Sequence, residues 1–385
     1  MKSVRRNEIG ITKGEGEEFW LYLEGGDCNG QLSLGYRYLN GIRIGKNEEK
    51  AFQWFLKSAE GGNTEGGNIK GQNSLGYCYE YGVGIIKDEK KAFQWYLKTA
   101  EEGDCDGQYV LGVRYENGAG TSKDEEKAFQ WYLISAEGGD SKGQRNLGYC
   151  YKNGIGTAKD EEKHFSEKAF QWYLISAEGG DSKGQRNLGY CYKNGIRTTK
   201  DEDKAFQWNL KSAERENSDG QYYLGYCYRN GIGTTKDKEK AFRWYLKSAK
   251  GGNSKGQYSL GYCYLNGIGT TKNEEKAFQW RLKSAEGGNS DGQYYLGYCY
   301  RNGIGTTKDE EKAFQWYLKT AEEGDCDGPY VLGVCYENGA GTSKDEEKAF
   351  QWCLKSAEGG NFNVQFIPSF VIITKYIKID QLGSP

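Results

Sequence analysis

Apolar and aromatic positions along the chain recur with helical spacing, and the whole pattern repeats about every 36 residues. In residues 220–255 a first seam is formed by Leu224, Gly225, Cys227 and Tyr228. A second stripe in the same stretch is formed by Ala241, Phe242, Trp244, Tyr245 and Ala249. Both follow the 3.6-residue period of a helix and not the two-residue period of a strand. Each copy of the pattern therefore predicts a pair of helices, which we name helix A and helix B.

Nine copies of this unit follow one another. Counted from the glycine that opens each copy, they begin at Gly30, Gly71, Gly107, Gly143, Gly184, Gly220, Gly256, Gly292 and Gly328. Six of the eight steps between them are 36 residues long and two are 41. A period of this size is typical of stacked helix pairs that bury their apolar faces against their neighbours. The sequence predicts an all-α solenoid of about nine helix-turn-helix repeats.

Local signals give the expected limits of the two helices. In the copy shown above, helix A is expected over 218–230, opened by a capping box of Ser218 and Gln221. Asp237 is the expected N-cap of helix B. Gly225 recurs in every copy inside helix A, although glycine costs about 1 kcal/mol there relative to alanine. We therefore expect it to mark a point where two helices approach closely.

Three segments describe the organisation of the chain. Residues 1–16 are polar and are expected to be flexible. Residues 17–363 form the array, which starts with a degenerate half-repeat at 17–29. Residues 364–385 are an apolar tail without the repeat pattern. The tail either caps the last repeat or replaces a lost tenth one, and the sequence leaves both readings open.

Two insertions account for the longer steps. The first lies within 61–70, in a loop between helix B and helix A. The second lies within 159–172, either between helices A and B or at the start of helix B, and it brings the only histidine, His164.

Charge and hydropathy exclude several partners. The net charge is −2 with 28% charged residues, and no long block carries one sign. Nucleic acid and anionic membranes are therefore not expected as partners. No apolar run is long enough to span a bilayer, and the first residues lack the apolar core of a signal peptide. We expect a cytoplasmic protein without membrane insertion.

The cysteines fit a packed core better than a disulfide framework. Seven occupy one helix A position: Cys78, Cys150, Cys191, Cys227, Cys263, Cys299 and Cys335. Equivalent points on stacked helices lie about 8–10 Å apart, beyond the ~7 Å Cα limit of a disulfide. Only Cys326, with Cys335 or Cys353, is a candidate pair. No C-x-x-C occurs, and a single histidine does not complete a zinc site, so no metal or cofactor is expected.

Four copies contain the pattern G-x-S-x-G, around Ser141, Ser182, Ser254 and Ser290. In hydrolases this pattern requires a strand-to-helix turn and a histidine base within reach. Here each serine falls in a loop between helices, and one histidine does not serve four sites. We read these serines as helix starts.

The repeat resembles the Sel1-like repeat family, relatives of the tetratricopeptide helix pairs. One copy carries the resemblance at Leu224, Gly225, Tyr228, Gly231, Gly233, Asp237, Lys240, Ala241, Trp244, Tyr245, Ala249 and Gly251. The resemblance covers about residues 19–363 and implies a right-handed solenoid that scaffolds protein complexes, with helix A on the concave surface. Two features depart from the family pattern: glycine opens helix A where alanine is usual, and Phe replaces the aliphatic residue after Ala.

Aligned with one another, the copies vary most at the fourth and tenth positions of helix A, counted from the opening glycine. Neutral drift on a solvated face is one reading of this variation. The other is a row that binds a partner, which the Tyr and Arg of the middle copies favour because these residues are enriched at interface hot spots. The candidate partner-binding residues are Asn146, Lys152, Asn187, Lys193, Tyr223, Arg229, Tyr295 and Arg301.

The sequence thus favours a non-catalytic scaffold that holds a protein or peptide partner of unknown identity on the concave helix A surface. An alternative, taken from the resemblance, is an activating or regulatory subunit of an enzyme complex such as a cell-wall synthase. A hydrolase that uses Ser254 and His164 is the third hypothesis.

Overall fold

Eighteen α-helices form nine consecutive hairpins in the computed structural model, which describes residues 27–61, 68–157, 162–323 and 327–359. The helices are α1 (Cys28–Asn40), α2 (Glu48–Glu60), α3 (Ile69–Tyr81), α4 (Glu89–Glu101), α5 (Cys105–Asn117), α6 (Glu125–Glu137), α7 (Ser141–Asn153), α8 (Glu162–Glu178), α9 (Ser182–Asn194), α10 (Glu202–Glu214), α11 (Ser218–Asn230), α12 (Lys238–Lys250), α13 (Ser254–Asn266), α14 (Glu274–Glu286), α15 (Ser290–Asn302), α16 (Glu310–Glu322), α17 (Asp327–Asn338) and α18 (Glu346–Glu358). No strand occurs among these residues. The prediction of an all-α solenoid of nine helix pairs is confirmed.

Helix packing divides the chain into two units, with the division between Leu188 and Gly189 inside α9. We call the part up to Leu188 unit 1 and the part from Gly189 unit 2. Within each unit, a helix A packs against helix B of its own hairpin, and that helix B packs against the next helix A. Consecutive A helices also touch, as α5 and α7 do in unit 1 and α11 and α13 do in unit 2.

The start of helix A differs from the prediction. Helix α11 does begin at Ser218, but its N-cap is Asn217, whose Oδ1 accepts a hydrogen bond from the Gly220 N–H at 2.8 Å. Gln221 is buried, and its Nε2 donates to the Ala213 carbonyl on α10 at 3.3 Å. The predicted capping box of Ser218 and Gln221 is therefore wrong, because the glutamine side chain binds the preceding helix and not its own helix end.

The turn between helices A and B follows the sequence closely. Gly231 ends α11 in the left-handed conformation, with φ 75°. Gly233, at φ 60°, lies so close to α10 that a Cβ there would be 2.2 Å from the Glu202 carbonyl oxygen. Asp237 is the N-cap of α12, as predicted, and accepts from the Lys240 N–H at 2.8 Å. The turn glycines therefore fix each hairpin against the helix B before it.

An aromatic contact explains why Phe follows Ala in helix B. The rings of Phe206 on α10 and Tyr228 on α11 meet edge to face, with centroids 5.5 Å apart and an interplanar angle of 89°. Lys240 on α12 places its Nζ 5.3 Å from the centroid of the same tyrosine ring. Tyr228 thus contacts both helices that flank it. The arrangement recurs at Phe52–Tyr79, Phe93–Tyr115, Phe129–Tyr151, Phe242–Tyr264, Phe278–Tyr300 and Phe314–Tyr336.

The opening glycine of helix A also marks a contact. A Cβ at Gly220 would lie 2.4 Å from the Ser212 Oγ and 3.0 Å from the Ala213 nitrogen on α10. The serine of helix B also donates a hydrogen bond to the first carbonyl of its own helix A, as Ser248 Oγ does to the Ser218 oxygen at 2.7 Å. Glycine therefore opens helix A because the buried serine occupies the space of a methyl group.

Eight of the ten described cysteines are buried and two are half-buried, and none of the ten forms a disulfide. The seven that share a helix A position are all among the buried ones, so their assignment to the core is confirmed. Cys326 lies outside the described residues, and so do the segments 1–16 and 364–385 and most of the half-repeat at 17–29.

The second insertion lengthens helix B. Helix α8 has 17 residues, whereas the other described B helices have 13, and His164 lies in its first turn. Of the two positions that the sequence allowed, the start of helix B is therefore the one observed. None of the described helices combines the length and the apolar character that crossing a membrane requires.

Candidate partner-binding surface

The predicted partner-binding residues lie on A helices of both units. Unit 1 carries Asn146 and Lys152 on α7 and Asn187 on α9. In unit 2 the row consists of Lys193, Tyr223, Arg229, Tyr295 and Arg301. Lys152 is exposed and the other seven are half-buried. The variable positions are therefore partly covered by their neighbours, and the contacts decide what each can offer to a partner.

In unit 1 the acidic residues at the tenth position already have partners. The Tyr96 hydroxyl donates to Glu80 Oε2 at 3.0 Å, and the Tyr132 hydroxyl donates to Glu116 Oε2 at 2.5 Å. Burial, with the added effect of these carboxylates, raises the pKa of both tyrosines. Glu80 also forms an ion pair with the buried Arg114. The acidic residues Glu80 and Glu116 of the row are therefore hydrogen-bonded within the fold, and Glu80 is also paired with a cation.

The predicted asparagines of unit 1 are also used internally. Asn146 makes a side-chain hydrogen bond with Tyr132. Asn187 accepts a hydrogen bond from Arg186 Nη1 at 3.1 Å. Both amides therefore hold neighbouring side chains in place.

In unit 2 two cations of the row, Lys193 and Arg229, rest on tyrosine rings. Lys193 Nζ lies 4.7 Å from the centroid of the Tyr226 ring and 5.3 Å from that of Tyr223. The Arg229 guanidinium lies 4.4 Å from the centroid of the Tyr262 ring on the next helix A. Such contacts hold a cation through the ring quadrupole without neutralising its charge. Each pair links one repeat of unit 2 to the next.

A tyrosine cluster continues this surface onto α15. The rings of Tyr258 on α13 and Tyr295 on α15 have centroids 5.5 Å apart. The ring of Tyr298 follows one turn later, 6.5 Å from that of Tyr295. Tyr298 is 43% exposed, so its ring is available to a partner. Arg301 extends the same face by a further turn.

A buried arginine lies beneath this cluster. Arg281 on α14 is 1% exposed, and its guanidinium carbon is 5.1 Å from the centroid of the Tyr295 ring. Its Nη1 donates to Cys299 Sγ at 3.1 Å, and its Nε has no hydrogen-bond partner among the described residues. Burial raises the pKa of the Cys299 thiol, and the charge of Arg281 offsets part of that rise.

Other arginines show what Arg281 lacks. Arg114 pairs with Glu80, and Arg145 Nε lies 3.2 Å from Asp181 Oδ1. Within the described part of the chain, no carboxylate forms an ion pair with Arg281. A fully buried cation without a counter-charge is costly, so this position is set apart from the other repeats.

The prediction from variable positions missed five contributors to this surface, among them Tyr258 at the third position of helix A. Tyr226, Tyr262 and Tyr298 occupy the seventh position of helix A, where tyrosine is frequent, so variation did not reveal them. Arg281 belongs to helix B and was therefore not considered. Its signal was visible in the sequence, because it stands at a position of helix B where six of the other eight copies carry an aromatic ring. We define the tyrosine–arginine stripe as Lys193, Tyr223, Tyr226, Arg229, Tyr258, Tyr262, Arg281, Tyr295, Tyr298 and Arg301.

The serines of the G-x-S-x-G pattern are the first residues of A helices. The Ser141 carbonyl accepts a hydrogen bond from Ser176 Oγ, and the Ser254 carbonyl accepts one from Ser284 Oγ, both at 2.7 Å. They follow a turn from another helix and not a strand. The described residues hold no group of three or more His, Cys, Asp or Glu side chains that could bind a metal ion.

Stacked helix hairpins with glycine at each close contact, and a polar aromatic surface on the A helices, define an α-solenoid of the repeat class. The family profile described as Sel1 repeat matches nine segments of the chain, and the chain belongs to this family. The matched residues are 29–63, 69–104, 105–140, 141–181, 182–217, 218–253, 254–289, 290–325 and 330–361. Proteins built from Sel1 and tetratricopeptide-like repeats generally mediate protein–protein interactions.

Two solved structures illustrate the relationship. The chain is 33% identical to c5321, a protective antigen of uropathogenic Escherichia coli strains with an SLR fold, over 90% of this chain and 80% of that one, with a TM-score of 0.58. It is 32% identical to a Sel1 repeat protein from Oxalobacter formigenes, over 66% of this chain and 96% of that one, with a TM-score of 0.55. No curated protein matches the chain.

Proposed function

We propose that this protein is a non-catalytic scaffold that binds a peptide or protein partner on the surface of its A helices. The observation that carries the proposal is the tyrosine–arginine stripe of unit 2. Lys193, Arg229 and Arg281 lie over tyrosine rings of the next repeat, and the ring of Tyr298 is exposed. Tyrosine and arginine are the residues that most often carry binding energy at protein interfaces.

Pre-organisation supports the same proposal. A flexible lysine or arginine loses side-chain entropy when a partner immobilises it, roughly 0.5–1.5 kcal/mol per side chain. Lys193 and Arg229 are already held over rings, so less of this entropy remains to be lost. The direct packing of consecutive A helices places these groups next to one another on one face.

Affinity purification with two matched variants tests the proposal. The first variant replaces Tyr223, Arg229, Tyr295 and Arg301 by alanine. The second replaces four exposed lysines of helix B by alanine, each of which lies over a tryptophan ring: Lys211, Lys247, Lys283 and Lys319. Both remove four long side chains from unit 2, but only the first alters the stripe.

The expected result is that partners identified by mass spectrometry are lost with the first variant and kept with the second. Partners that bind both variants as they bind the native chain would remove the proposed surface. A co-purified enzyme whose activity falls when the protein is withdrawn would make the scaffold a regulatory subunit, the alternative that the sequence raised.

A further inference from the structure

We propose that the tyrosine–arginine stripe binds an acidic, extended segment of the partner, whose carboxylates pair with Arg229, Arg281 and Arg301. The inference rests on the proposed function and adds the chemistry of the partner. It is carried by charge, because unit 2 places four cations along one face. One of them, Arg281, is buried without a counter-ion among the residues that the structure describes.

Two carboxylates, Asp291 and Glu310, interact electrostatically with residues of the stripe. Asp291, at the start of α15, acts through its charge on the Tyr258 phenol. Glu310 interacts mainly with Lys308 and only weakly with Arg301. Among the described residues of unit 2, no ion pair joins a carboxylate to Arg229, Arg281 or Arg301. The two acids of unit 1 at the tenth position, in contrast, are paired internally.

Arg281 gives the surface its specificity for an anion. Its Nη1 donates to a thiol, which is a weak acceptor, and its Nε donates to no described group. A carboxylate is the acceptor that fits the planar fork of a guanidinium, because it accepts two parallel hydrogen bonds. Tyr295, which covers the guanidinium, is itself half-buried at the surface. A rotation of that ring would open the arginine to a carboxylate of the partner.

The charge of the whole chain favours a peptide over a nucleic acid. Binding to a phosphate backbone draws on a broad positive field. This chain has a net charge of −2, and its acidic residues are spread over every repeat. The stripe is a local positive strip on a near-neutral protein, which suits short acidic segments.

Repeat geometry predicts the spacing of the acidic residues. Neighbouring A helices are about 10 Å apart, and an extended peptide rises about 3.3 Å per residue. One repeat therefore corresponds to about three residues of the peptide. Lys193 and Arg229 are one repeat apart, and Arg229 and Arg301 are two repeats apart. We expect acidic residues three and six positions apart in the bound segment.

Fluorescence anisotropy with labelled twelve-residue peptides tests the inference on the full chain. The probe is four copies of Glu-Ser-Gly, and its neutral control is four copies of Gln-Ser-Gly. The protein variants are Arg281→Met and Arg229→Gln, with Lys283→Met as the control because it removes an exposed charge from the same helix as Arg281. Circular dichroism establishes that each variant is folded, and Arg229→Gln provides a second test should Arg281→Met fail to fold.

The expected result is that the acidic peptide binds at least about tenfold more tightly than the neutral one, which is the effect of one charge-assisted pair. Arg281→Met and Arg229→Gln should each remove most of that difference, and Lys283→Met should leave it within about twofold. Equal binding of both peptides, lost when Tyr226 is replaced by alanine, would overturn the acidic preference and leave the proposed surface intact. Tighter binding of an oligothymidine probe than of the acidic peptide would also overturn it. If neither peptide binds while the partner from the affinity experiment is still lost with the stripe variant, the acidic preference is overturned and the proposed surface stands.

Discussion

The ring of Tyr245 on helix B lies directly against Gly225 on helix A of the same hairpin. A Cβ at Gly225 would be 2.8 Å from both Cδ1 and Cε1 of that ring, closer than real Cβ atoms approach. The same relationship joins Gly76 to Tyr96 and Gly112 to Tyr132. The recurrent glycine is therefore a docking point for an aromatic side chain, and this contact closes the hairpin.

Gly225→Ala is expected to lower the free energy of unfolding by about 1–3 kcal/mol, since a methyl group must displace a packed ring. Gly261→Ala is the matched control, because there the nearest side-chain atom is Cγ of Arg281, at 3.1 Å. Its cost should be largely offset by the gain of about 1 kcal/mol in helix propensity. Urea unfolding followed by circular dichroism measures both, and equal losses would contradict the role assigned to the ring.

Substitutions at two turn glycines distinguish the cost of backbone strain from the cost of steric contact. Gly233 and Gly252 both have positive φ, at 60° and 83°. A Cβ at Gly233 would meet the Glu202 carbonyl oxygen at 2.2 Å, whereas a Cβ at Gly252 would meet nothing within 4 Å. Gly252→Ala should cost only the left-handed strain, about 1–2 kcal/mol. Gly233→Ala should lower the free energy of unfolding by at least ~1 kcal/mol more than Gly252→Ala does. Equal losses in urea unfolding would show that α10 shifts to accommodate the methyl group.

Much of the fold was predictable because each hairpin is specified locally and repeats. The limits of α11, the cap at Asp237 and the close contact at Gly225 all follow from residues within one copy. The capping box failed because Gln221 bonds to Ala213 on the preceding helix, a tertiary contact that competes with the local one.

The candidate surface was less predictable for a different reason. Variation among the copies pointed to Tyr223 and Arg229, but it gave no weight to the frequent tyrosines such as Tyr262, which complete the contacts. Arg281 was missed because it belongs to helix B, and only packing shows that it lies beneath the Tyr295 ring of the next helix A.

Aspartate N-caps of helix B predict a loss of stability in acid. The N–H of the residue three places on, such as Lys240 for Asp237, lowers the pKa of these carboxyls. The same holds for Asp124, Asp201, Asp309 and Asp345. A lowered folded-state pKa gives stability that is present above the unfolded value of about 3.9 and is lost as the pH falls through the folded value.

Replacing those five aspartates by asparagine should therefore make the urea midpoint of unfolding depend less on pH between about pH 5 and pH 2. At pH 7 the variant should match the native chain, since asparagine caps as well as aspartate. Asn47 and Asn273 already cap helix B in this way. If the urea midpoints of the two proteins fall in parallel as the pH is lowered, the role assigned to the aspartate N-caps is wrong.

The buried cysteines should be inert in the folded protein. Burial raises the pKa of Cys150 to about 12 and that of Cys227 to about 11, so neither forms the reactive thiolate near neutral pH. Alkylation at pH 8, read by mass spectrometry, should label the half-buried Cys28 and Cys105 first. The buried thiols should be labelled only after unfolding in urea. Rapid labelling of Cys227 in the native protein would contradict its place in the core.

Arg281 is expected to lower the free energy of unfolding, whereas the tyrosines at the equivalent position of the neighbouring repeats are not. Tyr245 and Tyr317 occupy the equivalent position with buried rings. Arg281 instead buries a charge that has no carboxylate partner in the described part of the chain. Replacing an uncompensated buried charge by a packed ring should raise the free energy of unfolding, by about 1–3 kcal/mol. Tyr245→Phe, which keeps the buried ring and removes only its hydroxyl, is the control and should change little. If Arg281→Tyr is more stable in urea and yet binds the acidic peptide more weakly, the arginine is retained for binding. If Arg281→Tyr is less stable than the native chain, the fold itself accommodates the guanidinium well.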